Sequence, residues 1–418
     1  MKNKVYVLKF GGTSVADIDK INKVASRIAE YVHKNYRVLV VVSAMGDTTD
    51  NLIKLAKRIN PYPSEREMDM LISTGEQVSG ALLAMALHKK GIEAISFTGP
   101  QVGIITDTYH TKAKILKIET ARIKRELKKG KVIIIAGFQG ISTALEITTL
   151  GRGGSDLSAV ALAVAVGAGR CEIYTDVKGV YTADPRIVPQ AKMIKYITFD
   201  EMLELASRGA QVMQTRAVEV AKKFNIPLHV RSSFTKKEGT VIMKKTPYIE
   251  EPIVRGVTLL ENEAKITICN VPDKPGVAAR IFTRLSSGGI NVDMIVQNVS
   301  HERITDISFT VPKSSLQKAI KISNIIAKNI GAKDVLADEN IAKVSIVGVG
   351  MKTHFGVAAK CFKALAENKI NIEMISTSEI SISCVIKKKM GKKAVKALHK
   401  TFNLGNKKRR KKNNVRRK

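Results

Sequence analysis

The feature that most restricts the fold is an internal repeat in the last part of the chain. One copy contains KITICNV, PGVAARIFTRL and GINVDMI; the other contains KVSIVGVG, FGVAAKCFKAL and KINIEMI. Gly276-Val277-Ala278-Ala279 matches Gly356-Val357-Ala358-Ala359, with equal spacing onward to Ile290-Asn291 and Ile370-Asn371. Each copy reads strand, helix, strand, strand, helix, the pattern of a ferredoxin-like βαββαβ module. The copies differ in completeness. The first has a short apolar strand near Asp334 to Ala337, whereas the second runs from a helix over Lys392 to Phe402 into a basic tail. Ile253 to Leu260 (IVRGVTLL) is strand-like and lies ahead of the first copy without a counterpart in it. It is expected to complete the second module's sheet, because an unpaired edge is a liability that proteins cover. The first module would then be inserted within the second.

The residues before the repeat follow another rule. Val5 to Phe10, Val38 to Ser43, Val132 to Phe138 and Cys171 to Asp176 read as buried strands, with helical stretches such as Ile18 to Lys34 and Ser155 to Val166 between them. Nearly continuous apolar strands alternating with amphipathic helices predict a three-layer α/β/α domain on a largely parallel sheet. In such sheets ligands sit at the carboxyl ends of the strands. A Pro- and Lys-bearing connection, Lys244 to Pro252, separates this part from the repeat. The expected layout is the α/β/α domain over 1–245, a linker and strand over 246–261, modules over 262–338 and 339–404, and a basic disordered tail over 405–418.

Composition narrows the function classes. The 418 residues suffice for two or three domains. No apolar run approaches the roughly 20 residues that cross a bilayer, and MKNKVYVLKF enters a strand without a signal-peptide core. A cytoplasmic protein with no membrane partner is expected. The four cysteines, Cys171, Cys269, Cys361 and Cys384, lack metal-site or disulfide spacing, and the histidines form no cluster, so no protein-held metal is expected. A net charge of +33 suggests nucleic acid at first sight. Much of the excess is dispersed over helices, and the run from Lys407 to Lys418 is the only concentrated patch. Nucleic-acid binding is expected, if anywhere, through that tail.

Glycine-rich segments carry the chemistry. In KFGGTS, Lys9 to Ser14, a strand ends at Gly11-Gly12, where backbone N–H groups can approach phosphate oxygens and Lys9 supplies a mobile cation. In GRGGSD, Gly151 to Asp156, Ser155 is a candidate N-cap and Asp156 suits a positive helix end. Capping does not explain Arg152, whose guanidinium suits a substrate carboxylate. TDVKGVYTADPR, Thr175 to Arg186, sets Asp176, Tyr181 and Arg186 on a loop able to hold base, ribose and polyphosphate. SAMGDTTD (Ser43 to Asp50) and STGEQ (Ser73 to Gln77) add hydroxyls and Glu76.

Together with VRSSF (Val230 to Phe234), these segments resemble the aspartokinase branch of the amino-acid-kinase family, from about Val5 to Leu404. The repeat resembles the paired ACT domains of its feedback-regulated members, down to DKPG (Asp273 to Gly276), QNVS (Gln297 to Ser300) and STSEIS (Ser376 to Ser381). The resemblance implies that Lys9, Gly11, Gly12, Ser43, Thr175, Asp176, Tyr181 and Arg186 surround ATP. It implies that Thr49, Glu76, Arg152, Gly153 and Ser155 hold aspartate, Glu76 taking the α-ammonium and Arg152 the α-carboxylate. Asp156 would orient Lys9. Asp273, Gly276, Ala278, Asn291, Asp293 and Gln297 would bind an effector, lysine or threonine or both. His354-Phe355-Gly356 lacks the DKPG turn, so equal binding by the second module is not expected.

The reaction implied is phosphoryl transfer from ATP, carried with Mg²⁺, to the β-carboxylate of aspartate, the first step toward lysine, threonine and methionine. That carboxylate is ionised at neutral pH, so no protein base is required. Pairing of modules between chains would make a homodimer or a higher oligomer. The competing readings are a kinase for glutamate or another small acid, and a non-catalytic amino-acid sensor or nucleic-acid-binding regulator. An internal start at Met243 would yield a separate regulatory subunit.

Overall fold

The computed structural model describes residues 4–210, 212–250, 252–298 and 303–405. The tail from Lys407 to Lys418 and residues Val299 and Ser300 of QNVS lie outside the described residues. The chain forms two compact units, one of Met1–Val180, Met193–Ser207 and Gln211–Ile249, the other of Tyr181–Lys192, Arg208–Ala210 and Glu250–Lys418.

The first unit is built on an eight-stranded sheet ordered Tyr196–Thr198, Thr240–Met243, Leu228–Ser232, Arg170–Thr175, Val5–Phe10, Arg37–Val42, Val132–Ala136, Ala94–Phe97. From Leu228–Ser232 to Ala94–Phe97 all neighbours are parallel. Thr240–Met243 turns back antiparallel, and Tyr196–Thr198 runs beside it. The apolar runs follow from burial on both faces. Leu8, Phe10, Val40 and Val42 share a core with Ile21, Val24 and Ile28 of helix Ile18–His33 and with Leu83 and Leu87 of helix Thr74–His88. The alternate residues Val7, Leu39, Val41 and Ile133 are buried too, on the face covered by helix Gly154–Val166. Ile18–His33 starts where the Asp17 side chain accepts from the Lys20 N–H at 2.8 Å. The run Glu65–His88 is long and apolar enough for a membrane span, but its Ser79, Gly80, Leu83 and Leu87 are buried within the protein. A smaller sheet pairs Ile115–Ile118, Ile104–Thr106, Gln139–Ser142 and Ile147–Thr149.

The second unit carries two four-stranded antiparallel sheets. The first orders Ile295–Gln297, Ile304–Pro312, Glu263–Pro272 and Asp334–Asp338. Its core joins Ile266, Ile268 and Phe309 to Ile281 and Leu285 of helix Val277–Ser287 and Ile326 of helix Leu316–Ile330. The second sheet orders Gly256–Leu260, Ile341–Val347, Ser381–Lys387 and Met374–Thr377. A strand that precedes the first module in sequence therefore closes the sheet of the second.

Sequence position and tertiary place part company at Tyr181–Lys192, which belongs to the second unit. Ala183, Val188 and Ala191 are buried in the second module's core with Leu398 and Leu404. Thr182 Oγ1 lies 3.0 Å from His399 Nε2 and 3.2 Å from the Leu404 carbonyl. The Thr182 carbonyl accepts from the Val257 N–H at 2.8 Å. Burial, then the neighbouring Lys192 charge, lowers the His399 pKa, so the neutral imidazole suits this contact.

Candidate active site

In the first unit the strand ends bring several sequence-read loops together. Gly11 donates to the Tyr174 carbonyl at 3.1 Å, tying the first glycine loop to the strand that leads into Thr175. Gly46 donates to the Gly12 carbonyl at 3.1 Å, and Ser43 to the Phe10 carbonyl at 3.0 Å. A Cβ on Gly12 would stand 2.7 Å from the Ala44 carbonyl oxygen, so only glycine lets these loops meet. The Ser79 hydroxyl donates to the Ser43 carbonyl at 2.7 Å. Thr49 sits in the first turn of helix Thr48–Ile59, immediately after this loop. The Ser14 and Ser233 hydroxyls hydrogen-bond each other, drawing VRSSF to the same edge. The Thr175 hydroxyl bonds Asp176 Oδ1 at 3.0 Å.

Two charged groups here are unusual. Lys9 Nζ lies 2.7 Å from Asp156 Oδ1, with both side chains nearly buried. Glu76 is 3% exposed, and its Oε1 accepts from the Ala44 N–H at 3.2 Å. Its Oε2 is buried without a partner. Burial pushes this carboxyl up to about 7, with N–H groups of Ala44 and Glu76 pulling the other way. A buried carboxylate facing no cation is costly and is relieved by a cation that arrives with a ligand.

The Arg152 loop is rigidly held. Gly151 and Gly153 take φ of 80° and 72°, and helix Gly154–Val166 begins directly after the second. Ser155 is therefore inside the helix and not its N-cap, because the left-handed Gly153 turns the chain into the helix at Gly154. The Ser155 side chain is instead buried beside Gly137, where an added Cβ would lie 2.9 Å away. Asp156 is at the first turn, as its charge favours. Arg152 is exposed, and its guanidinium has no ion-pair partner among the described residues.

Sequence reasoning missed the groups that hold this loop. Asp69 is fully buried, accepting from the Thr149 N–H at 3.0 Å and hydroxyl at 2.6 Å and the Thr111 N–H at 2.9 Å, with His110 Nδ1 at 2.9 Å. Arg216 donates to the Leu150 and Ala113 carbonyls, each at 2.9 Å. Gln214 donates through Nε2 to the Arg152 carbonyl at 3.0 Å. A lone acid in the apolar stretch MDMLIS was the only available signal for Asp69.

A profile described as "Amino acid kinase family" matches residues 4–232, and an ACT domain profile matches 269–323 and 344–402. The aspartate kinase Ask_LysC of Stutzerimonas stutzeri is 52% identical over 399 residues, spanning 95% of this chain and 97% of that one. The chain belongs to the aspartokinase branch of the amino acid kinase family. It is a kinase. A crystal structure of E. coli aspartokinase III in complex with aspartate and ADP, named as the R-state, superposes with a TM-score of 0.82 at 27% identity, covering 95% of this chain and 99% of that one. The same enzyme with lysine and aspartate, named as the T-state, gives 0.74 at 27% identity over the same shares.

Not every residue read as nucleotide- or effector-binding falls in this loop cluster. Tyr181 and Arg186 belong to the second unit, where Tyr181 packs on the second module's core and Arg186 bonds Asp184 at 2.8–3.1 Å. In the first module Gly276 turns into helix Val277–Ser287 with φ 89°, leaving Asp273 and Ala278 exposed at the helix start. Asn291 and Gln297 are also exposed. Asp293 differs, because its carboxylate already pairs with Lys343 and, at 3.2 Å, with Arg208. Lys343 is 1% exposed and also lies 3.4 Å from Glu263. Gly356 has φ 80°, so the second module keeps the same turn despite losing the DKPG residues. Phe355 stands fully exposed there. Among the described residues no group of three or more His, Cys, Asp or Glu side chains could hold a metal ion.

Proposed function

We propose that the chain transfers the γ-phosphoryl group of ATP to the β-carboxylate of L-aspartate, giving 4-phospho-L-aspartate and ADP. The observation that carries this reading is Glu76, a buried carboxylate with an unpartnered oxygen and no cation of its own. It supplies an anionic socket for the α-ammonium of an amino acid, while the exposed Arg152 guanidinium is available to the α-carboxylate. Thr49, Gly153 and Ser155 complete the amino-acid end. Lys9, fixed by Asp156, neutralises charge on the transferring phosphoryl group. Gly11 and Gly12 let the phosphates approach the strand end, the Gly12 N–H and the Ser43 hydroxyl are the donors available to them, and Thr175 and Asp176 serve the nucleoside end. Magnesium enters as the complex with ATP.

The nucleophile needs no general base, so catalysis rests on in-line positioning and charge neutralisation. The reaction begins lysine, threonine and methionine synthesis in the cytoplasm, and lysine or threonine bound at the modules inhibits it. The E. coli enzyme named with lysine and aspartate supports this by analogy. The first module's Asp273, Gly276, Ala278, Asn291 and Gln297 form the effector face, with module pairing between two chains. Aspartate-dependent ADP release, measured with and without lysine and threonine, tests the whole reading. Activity with glutamate but not aspartate would overturn it.

A further inference from the structure

The stretch that leads into helix Thr215–Phe224 touches the Arg152 loop repeatedly. Gln214 Nε2 donates to the Arg152 carbonyl at 3.0 Å, and the Gln214 N–H approaches Asp156 Oδ2 at 3.4 Å. The other Asp156 oxygen pairs with Lys9. Two residues further on, Arg216 fixes the Leu150 carbonyl at 2.9 Å. A Cβ on Gly153 would stand 3.1 Å from Gln214 Cβ, so the glutamine packs directly on the glycine that turns the loop. Among the described residues nothing else bonds the Arg152 carbonyl, while the Gly154 N–H closes the turn around Arg152 and Gly153 by donating to the Gly151 carbonyl at 2.8 Å. Gly151 and Gly153 take left-handed φ on either side of Arg152, so within this closed turn the peptide plane after Arg152 can still rotate, and the hydrogen bond to its carbonyl fixes that plane and with it the direction in which Arg152 projects.

We propose that Gln214 is a positioning residue: by fixing the Arg152 peptide it aims the guanidinium at the substrate's α-carboxylate, and so sets affinity for the amino acid. The inference rests on the reading of Arg152 as the carboxylate-binding group. It separates two roles within one loop. Asp69 and Arg216 hold the loop's base through Thr149 and Leu150, whereas Gln214 alone acts at the functional residue. Its effect should fall on aspartate binding and leave ATP binding unchanged, since its side chain bonds the amino-acid loop and no nucleotide loop.

Steady-state ADP release with full-length protein tests this. Gln214→Met keeps side-chain length and removes the donor; it should raise the aspartate KM about five- to tenfold, with kcat and the ATP KM within about twofold. Gln214→His, whose ring Nε2–H lies as many bonds from the backbone, should recover most of the loss. In an Arg152→Met background, Gln214→Met should have no further effect on the aspartate KM, because the group it aims is gone. Gln214→Glu serves if Gln214→Met does not fold: a carboxylate facing the Arg152 carbonyl should raise the aspartate KM at least as much. An unchanged aspartate KM, equal losses in kcat and both KM values, or a full additional loss in the Arg152→Met background would overturn the proposal. Wild-type protein that releases no ADP with aspartate would instead overturn the substrate reading.

Discussion

Two buried charges in this protein have opposite surroundings. Lys343, in the second unit, is 1% exposed and lies against Asp293 and Glu263, with Arg208 bonded to the same Asp293. Two cations meet two carboxylates there, so the charge is balanced within the protein. Glu76, in the first unit, is 3% exposed and among the described residues its carboxylate is bonded by N–H groups alone. Among the described residues no cation faces it. Both clusters are costly to bury, and only one was left uncompensated. A balanced cluster fixes two modules together, because Lys343 belongs to the second module's Ile341–Val347 strand and Asp293 and Glu263 to the first. An unbalanced one is the socket that the proposed reaction fills with the substrate's ammonium group.

The largest expected effect is at Lys9, the cation that Asp156 steadies. Lys9→Ala should lower kcat by roughly a thousandfold while ATP binding, measured by titration calorimetry, changes far less. Near-normal turnover would remove Lys9 from the chemistry. Next comes the balanced cluster. Lys343→Met strands the Glu263 carboxylate and leaves Asp293 with Arg208 alone, and should destabilise the module pair by about 3–5 kcal/mol in urea unfolding. Replacing Lys343, Asp293 and Glu263 together by apolar residues of similar size should recover much of that loss, which a purely packing role for the lysine would not allow.

The unbalanced cluster predicts the reverse pattern. Glu76→Gln should raise the aspartate KM by about tenfold or more, through the lost ammonium partner. It should also stabilise the unliganded protein. The Glu76 carboxyl is raised from its ordinary value to about 7, so the folded state binds the extra proton between those values. Stability from this group is thus present at low pH and lost as pH rises toward 7. Above that range Glu76→Gln should gain roughly 1–3 kcal/mol over wild type, read by thermal unfolding near pH 8. The smallest effect is on pH dependence. Ionised Glu76 favours the ammonium, so the wild-type aspartate KM should fall from about pH 6 to about pH 8, and Glu76→Gln should flatten that slope. A slope that persists in the variant would assign it to another group.

Sequence by itself determined the classes of structure and the glycine-rich loops at the strand ends. Period and burial force nearly continuous apolar strands such as RVLVVV and VIIIA into a sheet covered on both faces. The glycines of KFGGTS and GRGGSD were legible because close backbone approach admits no Cβ. The repeat was legible because two copies of one pattern must bury two similar cores. Pairing and burial were not legible. Nothing local in SRGAQVMQTR shows that Gln214 holds Arg152, or that Arg208 reaches Asp293. Asp293 reads as an open effector ligand until Lys343, fifty residues on in sequence, is found against it. TADPRIVPQ reads as a surface loop of the first domain, yet its small apolar residues are buried in the second module's core. Whether a charge is met by a partner or left for a ligand depends on contacts between residues far apart in the chain, and only the tertiary structure decides those.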